Sequence, residues 1–423
     1  MMKHYKKILH FTNNDFDGAG RAVIRLHRGL LQSGINSIVY VLHTTGNNKK
    51  VERLGWQKNK KILLLLKYFY SLIIKKLLYY YWKPKSLFNF GYSRVTYQEI
   101  LSVVSDNDTI IIHNTYDFLI PQFILKLFHH RNIKIIMHPL DMEMITGGCH
   151  FNFDCGCYKI SCGYCPQLKK YSKNDPSSYH LNTIKEIYKN IPITWIAPNN
   201  FILQRLKNSA VYSNLHCASI AYMGIEPEQY KDIAADSAKK HFNFPIDKKI
   251  ILFGCFDLSD KRKGAHVLKK IINSYVIVKD DVPKFELVTF GSKNGFRFDG
   301  VGYSWTHLGH INSSEEMNLL YRASDLLVSP SLDDIGPTIL QEAFMNKLPL
   351  ISFNIGIAQD IVIDNVNGRL VSCYDNEQFG NAIYDILSEN ININYSCELI
   401  QELLSKSTIE GEANAFVEKI FSK

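Results

Sequence analysis

The chain has 423 residues, 46% of them hydrophobic and 21% charged, with a formal net charge of +9. That length exceeds one comfortable core, so two domains of roughly 200 residues are expected, and the composition excludes a disordered or fibrous polypeptide. The positive charge is local: between Arg53 and Gln98 stand ten Lys/Arg and no Asp or Glu, and without those ten the chain carries 39 basic against 40 acidic residues.

The start, MMKHYKKILHFTNNDF, places lysines before an apolar run, as a signal peptide does. The run is too short, however, and ends in Asn-Asn-Asp with no small-residue cleavage site, so it reads as a first β-strand. The loop that follows, TNNDFDGAGRA, carries Gly18 and Gly20 before the helical stretch RAVIRLHRGLLQSG. Glycines let backbone come close to a ligand, and a helix start presents free N–H groups and a positive dipole end, so this is a candidate phosphate cradle. An ordinary strand–helix turn would have the same sequence.

Further along, SIVYVL, TIIIH, IKIIMH and ITWIAP are apolar runs suited to buried strands, and PQFILKLFHHR is suited to a helix between them. Strands alternating with helices predict βαβ units and a parallel sheet.

Residues 53–98 interrupt this pattern. KKILLLLKYFYSLIIKKLLYYYWK, residues 60–83, is charged at Lys67, Lys75 and Lys76, which argues against a transmembrane span. At 100° per residue Lys60, Lys67, Ser71 and Lys75 share one stripe, with Ile62, Leu66, Phe69, Ile73, Leu77 and Tyr80 opposite. This predicts a basic amphipathic helix over 58–85 suited to an anionic membrane surface. Packing of the apolar face on the domain is the competing reading; nucleic-acid binding fits a continuous aliphatic face poorly.

After the fourth strand comes MHPLDMEMITGGCH. His138 and Asp141 stand where the carboxyl end of a parallel strand would place ligand-binding groups, although a lone histidine there is often structural. Nine cysteines are present and five crowd into residues 149–165, unlike a dispersed disulfide framework, so a reducing cytoplasm is expected. CGYC has zinc-knuckle spacing, and Cys149, Cys155, Cys162 and Cys165 could form a tetrahedral, structural zinc site within the loop 147–168. Buried thiols or one local disulfide would explain the same residues.

The strand–helix alternation then restarts. KIILFG, FELVTF, SDLLVSP, LPLISF and GRLVS are strand candidates, separated by helical patterns such as PTILQEAFMNK. The expected fold is therefore α/β, with two Rossmann-like doubly wound domains facing across a cleft. The expected boundaries are an N-terminal domain at 1–215, a linker at 216–247, a C-terminal domain at 248–400, and a helix at 401–423 packing back on the first domain. In GCFDLSDKRKGAHVL, Lys261, Arg262 and Lys263 stand where a diphosphate would meet a helix N-terminus; a solvated charge run is the plain alternative. In SPSLDDIGPTILQEAF, residues 329–344, Asp334 lies on the loop after a strand and Glu342 on the next helix. A carboxylate accepts well from a pair of vicinal hydroxyls, so both can face one ligand about as long as a sugar nucleotide.

Together these stretches resemble the family 4 retaining glycosyltransferases of GT-B fold, over nearly the whole chain and most clearly in 8–35, 133–168 and 248–371. The segment Thr146–Leu168 is similar to the TGGCH…CGxCPQL segment of bacterial members that build surface polysaccharides. The family's Glu-x7-Glu motif falls on Asp334 and Glu342. The resemblance implies that Glu342 binds ribose hydroxyls, and that Asp334 with the amides of Ile335, Gly336 and Thr338 faces the donor. It also implies that Lys263 of the Lys-Gly pair holds the diphosphate; Gly291 is counted among the donor-binding residues. The family's arginine soon after the strand is replaced here by Cys255-Phe256, so Lys261 or Arg262 is expected to substitute. The family's His-Asp-Met becomes Leu140-Asp141-Met142, which leaves His138 as the histidine expected near the donor sugar.

The implied activity is sugar transfer from a nucleotide-sugar to a glycan acceptor, expected to be lipid-linked, with retention of configuration. No protein nucleophile, cofactor or metal is required for catalysis. The implied setting is surface polysaccharide synthesis, with the protein peripheral at the inner face of the cell membrane. A soluble enzyme acting on a free sugar or sugar phosphate, or an inactive nucleotide- or glycan-binding scaffold, are the alternatives.

Overall fold

The computed structural model describes residues 7–54, 61–226, 233–300 and 302–421, with backbone alone at 61–68. In chain order the first elements are β1 (Ile8–Asn14), α1 (Gly18–Gln32), β2 (Ser37–His43), β3 (Val51–Arg53), α2 (Lys61–Trp82), α3 (Tyr97–Leu101) and β4 (Thr109–Ile112). They continue with α4 (Pro121–Arg131), β5 (Lys134–Met137), α5 (Pro176–Tyr188), β6 (Ile193–Ala197), α6 (Asn200–Lys207), β7 (Cys217–Ile220) and α7 (Ala235–His241). The second array runs β8 (Lys249–Asp257), α8 (Ala265–Ile271), β9 (Phe285–Ser292), β10 (Ser304–His307), α9 (Ser314–Arg322) and β11 (Leu326–Ser329). It closes with α10 (Thr338–Met345), β12 (Leu350–Phe353), α11 (Ala358–Ile361), β13 (Gly368–Val371), α12 (Asn376–Leu387), α13 (Glu398–Lys406) and α14 (Ile409–Phe421).

Two compact units result. The first comprises residues 1–224 with 409–423, and the second residues 225–408. The first holds a seven-stranded sheet in the order β3-β2-β1-β4-β5-β6-β7, the second a six-stranded sheet in the order β10-β9-β8-β11-β12-β13. Every strand pair in both is parallel. Central strands such as TIII and LLVS are buried at every position, which is why they read as unbroken apolar runs without alternation. Each order reverses beside the unit's first strand, the mark of a doubly wound sheet with its binding loops at that switch point.

The short strands β3, β7 and β10 were not predicted, because VER, CASI and SWTH lack an apolar run and lie at or next to sheet edges. β7 and α7 occupy the stretch 216–247 expected as a linker, and the units divide instead after Gly224 and after Thr408. Of the C-terminal residues, α13 stays with the second unit and α14 with the first. There Ala413, Phe416 and Ile420 pack with Leu26 and Leu30 of α1 over Ile8, Ile111 and Ile136 of the sheet. Gly29 permits the crossing of α1 and α14: a Cβ there would lie 2.6 Å from the Ile409 carbonyl oxygen.

The segment 61–82 is helical, and among its described side chains, at 69–82, the stripe expected to pack on the domain does not do so. Ser71 is buried, and Lys75 turns inward to ion-pair with buried Asp117 at 2.9 Å and donate to the Tyr116 hydroxyl. The Phe69–Tyr80 stripe faces outward. The expected basic residues Lys58 and Lys60 lie outside the described residues.

Candidate functional site

In the second unit the switch point falls between β8 and β11, so the loops after these two strands are neighbours. After β8 the chain makes one tight turn, Lys261–Lys263, capped by Asp260, whose carboxylate accepts from Arg262 N at 2.9 Å and Nη2 at 3.2 Å. Gly264 follows at φ 78°, and a Cβ there would come within 1.9 Å of the Pro330 carbonyl oxygen. Only glycine can therefore let this turn lie against the loop after β11. The contact is extended by Leu332 N donating to Arg262 O at 2.8 Å and by Arg262 Nη1 donating to Asp333 O at 3.0 Å.

On this frame Lys263 Nζ ion-pairs with Asp334 Oδ2, and Arg262 Nη1 stands 3.5 Å from the same oxygen. Burial would push the Asp334 carboxyl up. The charges of Lys263 and Arg262 and the Gly336 N–H outweigh burial and hold it below its usual range. Lys263, expected to hold a diphosphate, and Asp334, expected to face the donor, are thus paired with each other. α10 starts directly after this loop with Pro337 at its cap and no side chain capping its first turn. Ile335 is buried beside it. On the second turn of α10, Glu342 Oε2 accepts from the Tyr321 hydroxyl at 2.8 Å.

Other predicted residues stand apart from this group or have a packing role. Lys261 is exposed. Gly291 has φ 107°, a Cβ there would lie 1.7 Å from the Cys255 carbonyl oxygen, and its N–H donates to Gly309 O at 2.7 Å. Close passage of β8 and β9 is thus sufficient reason for a glycine. At the expected arginine position, Phe256 is 83% exposed beside His310; Arg262 is the guanidinium that reaches Asp334.

In the first unit, the glycine loop after β1 is closed by its own side chains. Asn14 Oδ1 accepts from Phe16 N and Asp17 N, and Asp17 Oδ1 caps α1 through Gly20 N at 2.7 Å. A carboxylate therefore occupies part of the helix N-terminus assigned to a phosphate. Gly20 is tightly packed, since a Cβ would meet Asn14 O at 2.4 Å, whereas Gly18 lies open.

His138 points into the protein. Its Nδ1 is 3.0 Å from His113 Nδ1, and His113 Nε2 is 2.9 Å from His10 Nδ1, giving a buried layer of three histidines across β1, β4 and β5. Its ring packs edge-on against Phe416. Burial lowers its pKa to about 3, so it is neutral. The histidine that meets Asp141 is His150: Nδ1 and Oδ2 are 2.7 Å apart. Burial lowers the His150 pKa, but Asp141, Glu143 and Asp117 raise it more. Asp141 Oδ1 also accepts from Glu143 N at 2.8 Å, while the Glu143 carboxylate takes bonds from Asn89 and Thr115. His150 ends the TGGCH string, which was the available signal; Tyr321 had none.

Gly147 and Gly148 make this loop possible, because Cβ atoms would come within 2.4 Å of Ser177 O and 2.2 Å of Asn89 O. Cys149, Cys155, Cys157, Cys162 and Cys165 line one cavity of about 20 Å³. Burial pushes the Cys162 and Cys165 thiols up to about 12 and about 11, against N–H donation from Gly147 and Gln167. Among the described residues, however, no three His, Cys, Asp or Glu side chains are arranged to hold a metal ion. Without a metal, burial favours the neutral form of these thiols.

Two parallel-sheet Rossmann-like units with these switch-point loops make the fold GT-B. Solved structures agree over almost the full chain. Sucrose-phosphate synthase from Thermosynechococcus elongatus aligns with TM-score 0.59 and 17% identity, covering 98% of this chain and 95% of the other. A glycosyltransferase from Rickettsia africae gives 0.62 and 14%, covering 99% and 98%. Anabaena HepE in complex with UDP and glucose gives 0.61 and 13%, covering 98% and 99%. At such identities the likeness is one of fold. No curated protein matches the chain. Residues 236–401 match the family model described as glycosyl transferases group 1, so the second unit carries that family's sequence pattern.

Proposed function

We propose that the protein is a glycosyltransferase that takes a sugar from a nucleotide-sugar and passes it, with retention of configuration, to a glycan acceptor. The observation that carries this is the coincidence of the group 1 match with a basic pair and a helix start without a side-chain cap at one switch point. An N-terminal helix dipole with Lys263 and Arg262 beside it favours a diphosphate, and Glu342 can accept from ribose hydroxyls. Electrostatic stabilisation of the leaving diphosphate would then be the protein's main contribution, with no metal needed for the scheme. HepE, of the same fold, is solved with UDP and glucose, which supports a nucleotide-sugar donor. A lipid-linked acceptor in surface polysaccharide synthesis, reached from the inner face of a membrane, fits the TGGCH-type segment and the basic helix α2. In the first unit, Asp141 and His150 are the proposed acceptor-side pair.

The test is a thermal-shift screen against UDP-, GDP-, ADP- and CMP-sugars. One nucleotide class should raise the melting temperature, since ligand at about 100 times its Kd adds about 2.7 kcal/mol to the folded state. Glu342→Gln should abolish the shift and lower kcat/KM by about 30- to 1000-fold, the loss of charge-assisted bonds to two hydroxyls. No shift in demonstrably folded protein would favour the scaffold reading instead.

A further inference from the structure

The outward face of α2 is the largest feature that sugar transfer leaves unexplained. Phe69, Tyr70, Ile73, Leu77, Tyr80 and Tyr81 are each between 55% and 74% exposed. Spaced by four, four and three residues, Phe69, Ile73, Leu77 and Tyr80 fall within a quarter turn of one another on a helix. A surface helix ordinarily turns such a stripe to the core. Here the core-facing side instead holds Tyr79 and Trp82, which pack beside Phe90 and Phe88, together with two polar groups: Ser71 is buried, and Lys75 is held by Asp117 and Tyr116. The inward lysine fixes the rotation of the helix, because turning the apolar stripe inward would break its ion pair and leave Arg94, at 3.2 Å, as the remaining cation paired with Asp117 among the described residues.

The charge around the stripe identifies its partner. Lys76 is exposed within it, Lys83 and Lys85 follow the helix, and Lys170 places its ammonium 2.9 Å from the centre of the Tyr81 ring. No acidic residue occurs between Arg53 and Gln98 to oppose them. An apolar stripe with lysines long enough to reach outward and tyrosines at one end is suited to the headgroup boundary of an anionic bilayer. Among the described residues no helix is long and apolar enough to cross a membrane.

We propose that α2 is a membrane-docking helix, lying flat on an anionic lipid surface with Phe69, Ile73, Leu77 and Tyr80 in the headgroup–acyl boundary and Lys76, Lys83, Lys85 and Lys170 on lipid phosphates. The inward Lys75 is a positioning residue that presents this face. The inference is independent of the sugar chemistry and is measured without it.

The experiment is flotation of the full chain with phosphatidylcholine vesicles, with and without phosphatidylglycerol, at low and high salt. The parent chain should float with the anionic vesicles and be released by salt. A Phe69→Gln, Ile73→Gln, Leu77→Gln variant should bind about tenfold or more weakly, and a Lys76→Gln, Lys83→Gln, Lys85→Gln variant should lose the preference for anionic lipid. All these positions are exposed, so melting curves should match the parent's. Parent chain that stays at the bottom of the gradient, or a triple apolar variant that floats equally well, overturns the proposal. So does a parent that is dimeric without lipid and becomes monomeric in the apolar variant, since the face would then belong to a second copy.

Discussion

A Lys263→Met chain should be less stable than the parent by about 2–4 kcal/mol in urea or thermal melts, and adding Asp334→Asn should restore most of that loss. Asp334 is buried, and its ionised form depends on Lys263, on Arg262 at 3.5 Å and on the Gly336 N–H. Methionine fills the volume of the lysine stem but leaves a buried carboxylate with one distant cation, which is the costly way to break such a pair. Asparagine removes the orphaned charge, so the second substitution should repair the fold. It cannot supply the missing cation, so the double variant should remain unable to gain stability from a nucleotide-sugar. Recovery of both properties would show that Lys263 serves only Asp334. The pH dependence has a fixed sign. Because the folded pKa of Asp334 lies below its ordinary value of 3.8, its contribution is present above that value and is lost as pH falls through the folded pKa. The double variant should lack this acid-side loss.

This ion pair also shows how far the sequence could be read. The unbroken runs TIIIH, SDLLVSP and LPLISF revealed buried parallel strands, because an interior strand must be apolar on both faces. Once two parallel arrays were evident, the loops after β8 and β11 were the natural places for chemistry; Lys263, Arg262 and Asp334 belong to them, and Glu342 to the helix that follows. Which groups would partner one another was hidden. Tyr321 meets Glu342 from 21 residues away, and nothing in SSEEMNLLYRAS marks that tyrosine. His138 was misplaced for a related reason. Position at a strand end does not show whether a ring points out of the sheet's edge or back under it, and here His10 and His113 draw it into a buried layer. The rotation of α2 was undecidable from periodicity, which shows two faces but does not say which one meets the protein. Asp117, 42 residues from Lys75, decides it.

Glutamate 412 should make stability fall on the alkaline side, and Glu412→Gln should remove that fall. The carboxyl group lies on α14, buried, with Oε2 accepting from Gly224 N at 2.8 Å and Oε1 without a hydrogen-bond partner among the described residues. Burial pushes its pKa up to about 8, against the Gly224 N–H and the charge of Arg25 on α1. The folded chain therefore keeps the proton where an unfolded chain, titrating near 4.5, has lost it. The sign follows: stability from this group is full below the unfolded value and is lost as pH rises through about 8. Glutamine preserves the shape and the acceptor for Gly224 N but carries no titrating proton. Parent and variant should thus melt alike near about pH 5 and diverge by about 3–5 kcal/mol toward about pH 9, with the variant the more stable. Denaturation at a series of pH values measures the difference directly, and parallel curves would show that Glu412 does not hold its proton. The position gives the effect reach. Gly224 is where the chain leaves the first unit, so ionising Glu412 places a buried charge beside that exit.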